Sequence, residues 1–130
     1  MRGNQITVIH PTAFQNLNSL KRLKLDGNQL KNVESNVFES LHHLIQLTLR
    51  DNVLLAQTSD TGHAFSKLSA LQNLDLNNCG IKTLPDNMFA NNAMLEVLEL
   101  TTNSIISWKS ELFKPLRNLT ILTMANNKIA

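Results

Sequence analysis

Leucines recur along the chain in a fixed pattern of apolar and polar positions. Residues 20–30 have the skeleton L-x-x-L-x-L-x-x-N-x-L, in which x is mostly polar. With at most two substitutions in a copy, the skeleton returns four more times, and its first leucines lie 24 or 27 residues apart: Leu20, Leu44, Leu71, Leu95 and Leu119. Self-similarity at a fixed period of this length predicts a solenoid, in which each repeat buries its apolar side against the next one.

Alternation inside the skeleton predicts one short strand in each repeat. Leu23-Lys24-Leu25 places two leucines on one side of the chain and a lysine on the other, as in a half-buried strand. We expect strands of three to five residues that stack in parallel along the concave face of a curved α/β solenoid. The returning half of each repeat is expected to be irregular, 3-10 or short helical, and to form the convex side.

A polar residue at the ninth motif position is expected to end each strand. Its side chain can bond backbone groups of its own turn and of the neighbouring turn, so a ladder of such residues would satisfy buried backbone. The ladder positions are Asn4, Asn28, Asn52, Cys79, Asn103 and Asn127. Cys79 fits here as a small buried thiol. The alternative, a reactive thiol, is disfavoured because buried thiols are normally inert.

All five phenylalanines fall at one position in the returning half of the repeats. They are Phe14, Phe38, Phe65, Phe89 and Phe113, and we expect them to form a spine along the core. A leucine stands three residues after each phenylalanine except Phe89, where Asn92 takes its place. We expect Ala93 or Met94 to cover that gap. The second full repeat carries three extra residues within 55–62, whose polar composition predicts a loop.

The whole chain is interpreted as one array spanning residues 1–130. Partial repeats 1–19 and 119–130 flank the repeats 20–43, 44–70, 71–94 and 95–118. Both ends stop inside a repeat, and no signal peptide or cysteine-rich cap is visible. A solenoid needs polar caps over its end repeats, so we expect this chain to be a piece of a longer array.

Composition and charge exclude several classes of function. Hydrophobic residues make up 42% of the chain and charged residues 17%, as in a folded domain. A net charge of +2 without a run of lysine or arginine gives no indication of nucleic-acid binding. No stretch approaches the ~20 apolar residues of a membrane span.

These motifs resemble the leucine-rich repeat family over essentially the whole chain. The 24-residue period with F-x-x-L in the second half is similar to the typical subclass of animal extracellular proteins, which includes Toll and Toll-like receptors, Slit-like guidance proteins and secreted insect immune proteins. The resemblance implies an extracellular horseshoe segment that binds a protein ligand or co-receptor in innate immunity or development, without a cofactor. A structural spacer in a larger array, an intracellular scaffold, and dimerisation with a like or unlike chain stay open.

Polar residues on the outward side of the predicted strands are the candidate binding residues. They are Lys21, Arg22, Lys24, Gln46, Arg50, Asn73, Asp75, Glu96 and Glu99. Their charge runs from basic in the first repeats to acidic in the later ones. Such a gradient suits a protein ligand of complementary polarity, with charge setting orientation more than affinity. The alternative is a solvated face that keeps the sheet soluble.

No catalytic or metal site is predicted. His42 and His43 are adjacent, and adjacent histidines seldom converge on one ion without further ligands nearby. Asp75 and Glu99 are expected on an open surface, which lacks the enclosing pocket that acid–base chemistry needs. The sequon Asn118-Leu119-Thr120 predicts a glycosylated asparagine on the rim. The alternative is that this three-residue match arises by chance.

Overall fold

Five short parallel strands form one sheet in the computed structural model, which describes residues 3–31, 33–34, 36–54 and 64–129. The strands are β1 (Arg22–Lys24), β2 (Gln46–Thr48), β3 (Asn73–Asp75), β4 (Val97–Glu99) and β5 (Ile121–Thr123). They follow one another across the sheet in chain order, each parallel to the next. The predicted solenoid with one strand in each repeat is confirmed.

Equivalent motif positions align across the sheet. Leu23 faces Leu47, and Leu47 faces Leu74, as partners on neighbouring strands. Backbone bonds extend the pairing beyond the strands: Lys21 O accepts the N–H groups of Ile45 and Gln46 at 2.8 and 3.0 Å. This register is strongly specified, because a slip of one residue would turn the inward leucines toward solvent.

The core is a column that runs through all turns of the solenoid. The sixth motif residue, which directly follows each strand, is fully buried in four successive repeats: Leu25, Leu49, Leu76 and Leu100. Aromatic rings line the opposite side of this column. Phe14 stacks on Phe38 with centroids 6.2 Å apart, and Phe89 stacks on Phe113 at 6.3 Å. Phe65 is buried in the same core.

Turns form the returning halves of the repeats. They cover residues 11–16, 36–40, 64–67, 86–91 and 110–115, and their hydrogen bonds join residues three apart, as from Leu41 N–H to Phe38 O at 3.0 Å. The described part of the chain contains no helix, so the irregular alternative holds there and the helical one does not. Stretches of four to six residues are too short to stabilise a helix. The predicted loop within 55–62 lies outside the described residues.

Asn92 fills its own gap in the row of leucines. Its side chain is fully buried, and Nδ2 donates to Phe65 O at 3.0 Å and to Leu68 O at 3.1 Å. Ala93 and Met94 are both exposed, so the expectation that one of them covers the gap is wrong. These bonds to two carbonyl groups of the preceding turn satisfy the amide nitrogen, whereas Oδ1 has no hydrogen-bond partner among the described residues.

The eighth motif residue adopts a left-handed backbone after each of the five strands. The φ angles are 68° at Gly27, 60° at Asp51, 53° at Asn78, 58° at Thr102 and 56° at Asn126. Glycine, asparagine and aspartate adopt this region at low cost. Thr102 has a β-branched side chain, for which the same φ is strained.

Replacing Thr102 by glycine should therefore stabilise the fold. Relief of about 1–2 kcal/mol of left-handed strain outweighs the ~0.5–1 kcal/mol of chain entropy that glycine adds, so Thr102→Gly should raise the free energy of unfolding by about 0.5–1 kcal/mol. Thr101→Gly is the matched control and should lower it. Urea unfolding measures both. Equal destabilisation by the two variants would show that the backbone at Thr102 is not strained.

The strand register makes a second prediction about stability. Leu74 is 1% exposed, and Leu74→Ala should lower the free energy of unfolding by about 2–5 kcal/mol as a buried large-to-small change. Lys24 is exposed, and Lys24→Ala should change it by less than about 0.5 kcal/mol. Equal shifts of the thermal unfolding midpoint would contradict this assignment of inward and outward positions.

Candidate recognition surface

Side-chain amides fix the bend that follows the strands. Asn52 Nδ2 donates to Leu49 O at 2.7 Å in its own turn and to Leu25 O at 3.0 Å in the preceding turn, while Oδ1 accepts the Leu30 N–H at 3.1 Å. Asn103 and Asn127 make the corresponding three kinds of bond. Asn28 bonds Leu25 O and the Ile6 N–H, whereas Asn4 is exposed. The outward residues of the strands are therefore held on a rigid frame.

Cys79 stands at the equivalent position in the third repeat and is fully buried. Its thiol donates to Leu49 O, with Sγ 3.1 Å from that oxygen. Burial raises the pKa of the Cys79 thiol to about 12, so the sulfur is protonated at neutral pH and is a poor nucleophile. A thiol supplies one weak donor where an amide supplies two donors and an acceptor oxygen.

The geometry at Asn103 predicts a large effect of an isosteric change. In Asn103→Asp a carboxylate would face the carbonyl oxygens of Leu76 and Leu100, which now accept from Nδ2 at 2.9 and 3.0 Å. The N–H groups of Cys79 and Ile81 would still donate to the other oxygen, but a buried charge without a neutralising cation should lower the free energy of unfolding by about 3–5 kcal/mol near neutral pH.

The loss in Asn103→Asp should shrink toward about pH 4, the usual range of carboxyl groups. A buried carboxyl has a raised pKa in the folded state, so stability is lost as the pH rises through that pKa. Urea unfolding at the two pH values measures this. Asn126→Asp, at an exposed position, is the control and should change little at either pH. Equal effects of the two variants would contradict the role of the buried amide.

The outward side of the sheet is called the strand face below. It consists of the third and fifth motif residues of the strands: Arg22, Lys24, Gln46, Thr48, Asn73, Asp75, Val97, Glu99, Ile121 and Thr123. The third-position residues are exposed or half-buried. In the fifth-position row, Thr48 and Asp75 are only 8% exposed. That row is therefore recessed on β2 and β3, whereas Lys24 at its β1 end is exposed.

Charge changes sign along the strand face. Arg22 and Lys24 are exposed on β1, whereas Asp75 and Glu99 lie on β3 and β4. Arg50, two residues past β2, reaches toward the acidic end, where its Nη1 lies 3.8 Å from Asp75 Oδ2. The fold thus brings together three of the sequence-predicted binding residues. It keeps the basic pair of β1 at least two strands away from both carboxyl groups.

Of the other candidates, Lys21 and Glu96 lie just before β1 and β4, and both are exposed. Gln46 is half-buried and Asn73 exposed, each at the start of its strand. The two residues before β1 and β4 therefore flank the strand face at its edge.

Asp75 and Glu99 are partners on adjacent strands of the strand face. Partial burial raises the pKa of Glu99, and the charge of the neighbouring Asp75 raises it further. Asp75 Oδ1 accepts the Asn77 N–H at 2.9 Å. Glu99 therefore takes up a proton at a higher pH than an isolated glutamate does. The shared motif position of Asp75 and Glu99 in adjacent repeats was the only sequence signal that they are neighbours.

Four residues of the strand face were missed as candidates: Thr48, Val97, Ile121 and Thr123. Thr48 and the Thr123 hydroxyl are buried, and Val97 and Ile121 form an apolar pair on β4 and β5. The sequence shows them at outward motif positions. Residue type alone did not distinguish a buried hydroxyl or an exposed aliphatic pair from outward residues that have no role in binding.

The histidines and the sequon lie away from the strand face. His43 Nδ1 donates to Asn18 O at 2.8 Å, and His42 lines a groove of about 300 Å³ beside Pro11 and Glu39. Among the described residues, no three histidine, cysteine, aspartate or glutamate side chains are grouped so as to hold a metal ion. His63 lies outside those residues. Asn118 is exposed, as the predicted glycosylation requires.

A search of the described residues for a helix long and apolar enough to cross a membrane finds none.

The sequence matches a family profile described as Leucine rich repeat over residues 1–54 and 69–129. This chain belongs to the leucine-rich repeat family. No curated protein matches it by sequence. Among solved structures, this leucine-rich repeat chain is similar to TLR13 in the TLR13–ssRNA13 complex, with 27% identity and a TM-score of 0.65 over 98% of this chain and 20% of that one.

A second similar structure is Toll from the Toll–Spatzle complex of Drosophila. It is 22% identical, with a TM-score of 0.67 over 93% of this chain and 19% of Toll. This leucine-rich repeat chain therefore spans about a fifth of the length of each relative. The predicted resemblance to Toll-like leucine-rich repeats is confirmed.

Proposed function

We propose that the chain is part of an extracellular leucine-rich repeat receptor or secreted recognition protein, acting in innate immunity or development, and that it binds a protein ligand through the strand face or its rim. The observation that supports this proposal is the difference between the inward and outward residues of each strand. The inward leucines are the same residue in repeat after repeat, whereas the outward residues differ in charge and polarity. Extended faces of this kind are the binding surfaces of solenoid proteins.

The similar structures support this direction. One is a complex of Toll with Spatzle, described as a molecular hub in Drosophila development and innate immunity, and the other is TLR13 with ssRNA13. An extracellular location agrees with the exposed sequon at Asn118, which a glycan could reach.

The charge pattern favours a protein over a nucleic acid as the ligand. Binding of a phosphate backbone depends on a continuous basic track. Here the basic residues Arg22 and Lys24 are followed on the same face by Asp75 and Glu99. A face that carries both basic and acidic residues repels part of a polyanion. It can complement a protein surface whose acidic and basic residues are arranged in the opposite order.

Photo-crosslinking tests where the ligand binds. A crosslinking amino acid replaces Asn73, which is exposed at the centre of the strand face, or Lys82, which is exposed outside it. The proposal expects the native protein partner to crosslink at position 73 and not at 82. Absence of crosslinks from both positions, while the partner still binds the longer protein, would support a spacer role. Crosslinks to RNA in place of protein would contradict the proposed ligand class.

Charge reversal then tests which residues matter. The variant Arg22→Glu, Lys24→Glu, Asp75→Lys, Glu99→Lys inverts both ends of the face. Partner binding should fall at least about tenfold, which corresponds to 1.4 kcal/mol. Reversal of Lys109 and Asp86, an exposed ion pair off the strand face with Nζ and Oδ2 2.8 Å apart, is the matched control. Binding that survives the first variant with the fold intact would show that the strand face is not the site.

A further inference from the structure

The acidic end of the strand face has more carboxyl groups than cations. Asp75 and Glu99 are partners on adjacent strands, and the Asp75 side chain is 11% exposed. Arg50 lies 3.8 Å from Asp75 with half of its own side chain exposed. From the other side β5 contributes Ile121 and Thr123, which carry no charge. One guanidinium therefore faces two carboxyl groups.

Threonine hydroxyls lie on both sides of this pair. Thr48 is the strand partner of Asp75, and Thr123 is the partner of Glu99. Thr48 is 8% exposed, and within the described residues neither Oγ1 has a hydrogen-bond partner. A buried hydroxyl without a partner is unfavourable. An ammonium or guanidinium group carries several N–H donors and can satisfy such oxygens together with the carboxylates.

An apolar pair adjoins the carboxyl groups. Val97 and Ile121 are strand partners, and Ile121 is 50% exposed. On the other three strands the same motif position holds arginine, glutamine or asparagine. Val97 stands two residues before Glu99, so the two side chains leave the same side of β4 roughly 6.5 Å apart.

We propose that the acidic end of the strand face binds an extended protein segment in which a lysine or arginine lies two residues from a branched aliphatic side chain. The basic group contacts Asp75 and Glu99, and the aliphatic group contacts Val97 and Ile121. Alternate side chains of an extended segment have the same spacing of roughly 6.5 Å as those of β4. This inference rests on the proposed function. It specifies that the ligand carries a positive charge and that it binds at the acidic end of the strand face.

Binding of such a segment should weaken as the pH falls. The basic side chain needs an ionised Glu99, and partial burial together with the charge of Asp75 raises the pKa of that carboxyl above its usual range. Arg50 is the charged group that faces the pair from the β2 side, and it favours the ionised form. Lys24 lies on β1, beyond Thr48.

An NMR titration of the chain with the blocked peptide Thr-Lys-Thr-Val-Thr tests the proposal. Amide shifts are expected on β3, β4 and β5, with an affinity that falls at least about tenfold, or 1.4 kcal/mol, in Glu99→Gln. Ile121→Ser changes an exposed residue and should also weaken binding. Lys82→Gln neutralises an exposed lysine outside the strand face and should leave the affinity unchanged. Circular dichroism checks that each variant is folded.

Several outcomes would overturn the proposal. One is that a peptide with glutamate in place of lysine binds equally well, and another is that the amide shifts are confined to β1 and β2. A third is unchanged affinity in both Glu99→Gln and Ile121→Ser, and a fourth is the absence of amide shifts at about 10 mM peptide. Each of these results would contradict the proposed site. If the native partner still crosslinks at position 73 while Glu99→Gln binds it normally, only this inference fails. If the partner crosslinks at neither position 73 nor position 82 while it still binds the longer protein, the proposed function fails as well.

Discussion

The side-chain amide that follows four of the five strands is the interaction on which the rest of the structure depends. A solenoid turn of 24 residues reverses the chain inside its own core, where backbone groups meet no water. At Asn52 and Asn103 one side chain supplies donors to two successive turns and an acceptor to the preceding one. Each bond across turns fixes the stacking distance as well as the bend. The leucine column and the strand register can then repeat without a globular centre.

The same constraint explains the tolerance of the fold at other positions. Cys79 keeps a hydrogen bond to the preceding turn through its thiol, so the turns still stack there, although this bond is weaker than that of an amide. At Asn92 an amide replaces a leucine. It is accommodated because two carbonyl oxygens of the preceding turn accept hydrogen bonds from its nitrogen. In both cases the identity of the residue matters less than the backbone groups that it meets.

Much of this architecture was predictable from the sequence because it repeats. Strand positions, parallel order and buried leucines follow from an in-phase motif, since each copy confirms the reading of the others. The turns of the convex side followed less well: short segments with prolines are compatible with several conformations. The role of Asn92 could not be read at all, because it depends on the carbonyl oxygens of Phe65 and Leu68 in another turn.

The candidate site was also predictable only in part. Which residues point outward follows from the motif, but how deeply they lie does not. Asp75 and Lys24 occupy the same motif position, yet Asp75 is 8% exposed and Lys24 is open to solvent. Depth arises from neighbours on both flanking strands, and Lys24 has a described strand on one side only. Recessed carboxyl groups respond to charge more strongly than exposed ones, because less water screens them. For this reason the acidic end of the strand face, and not its more exposed basic end, is the part whose chemistry most restricts the ligand.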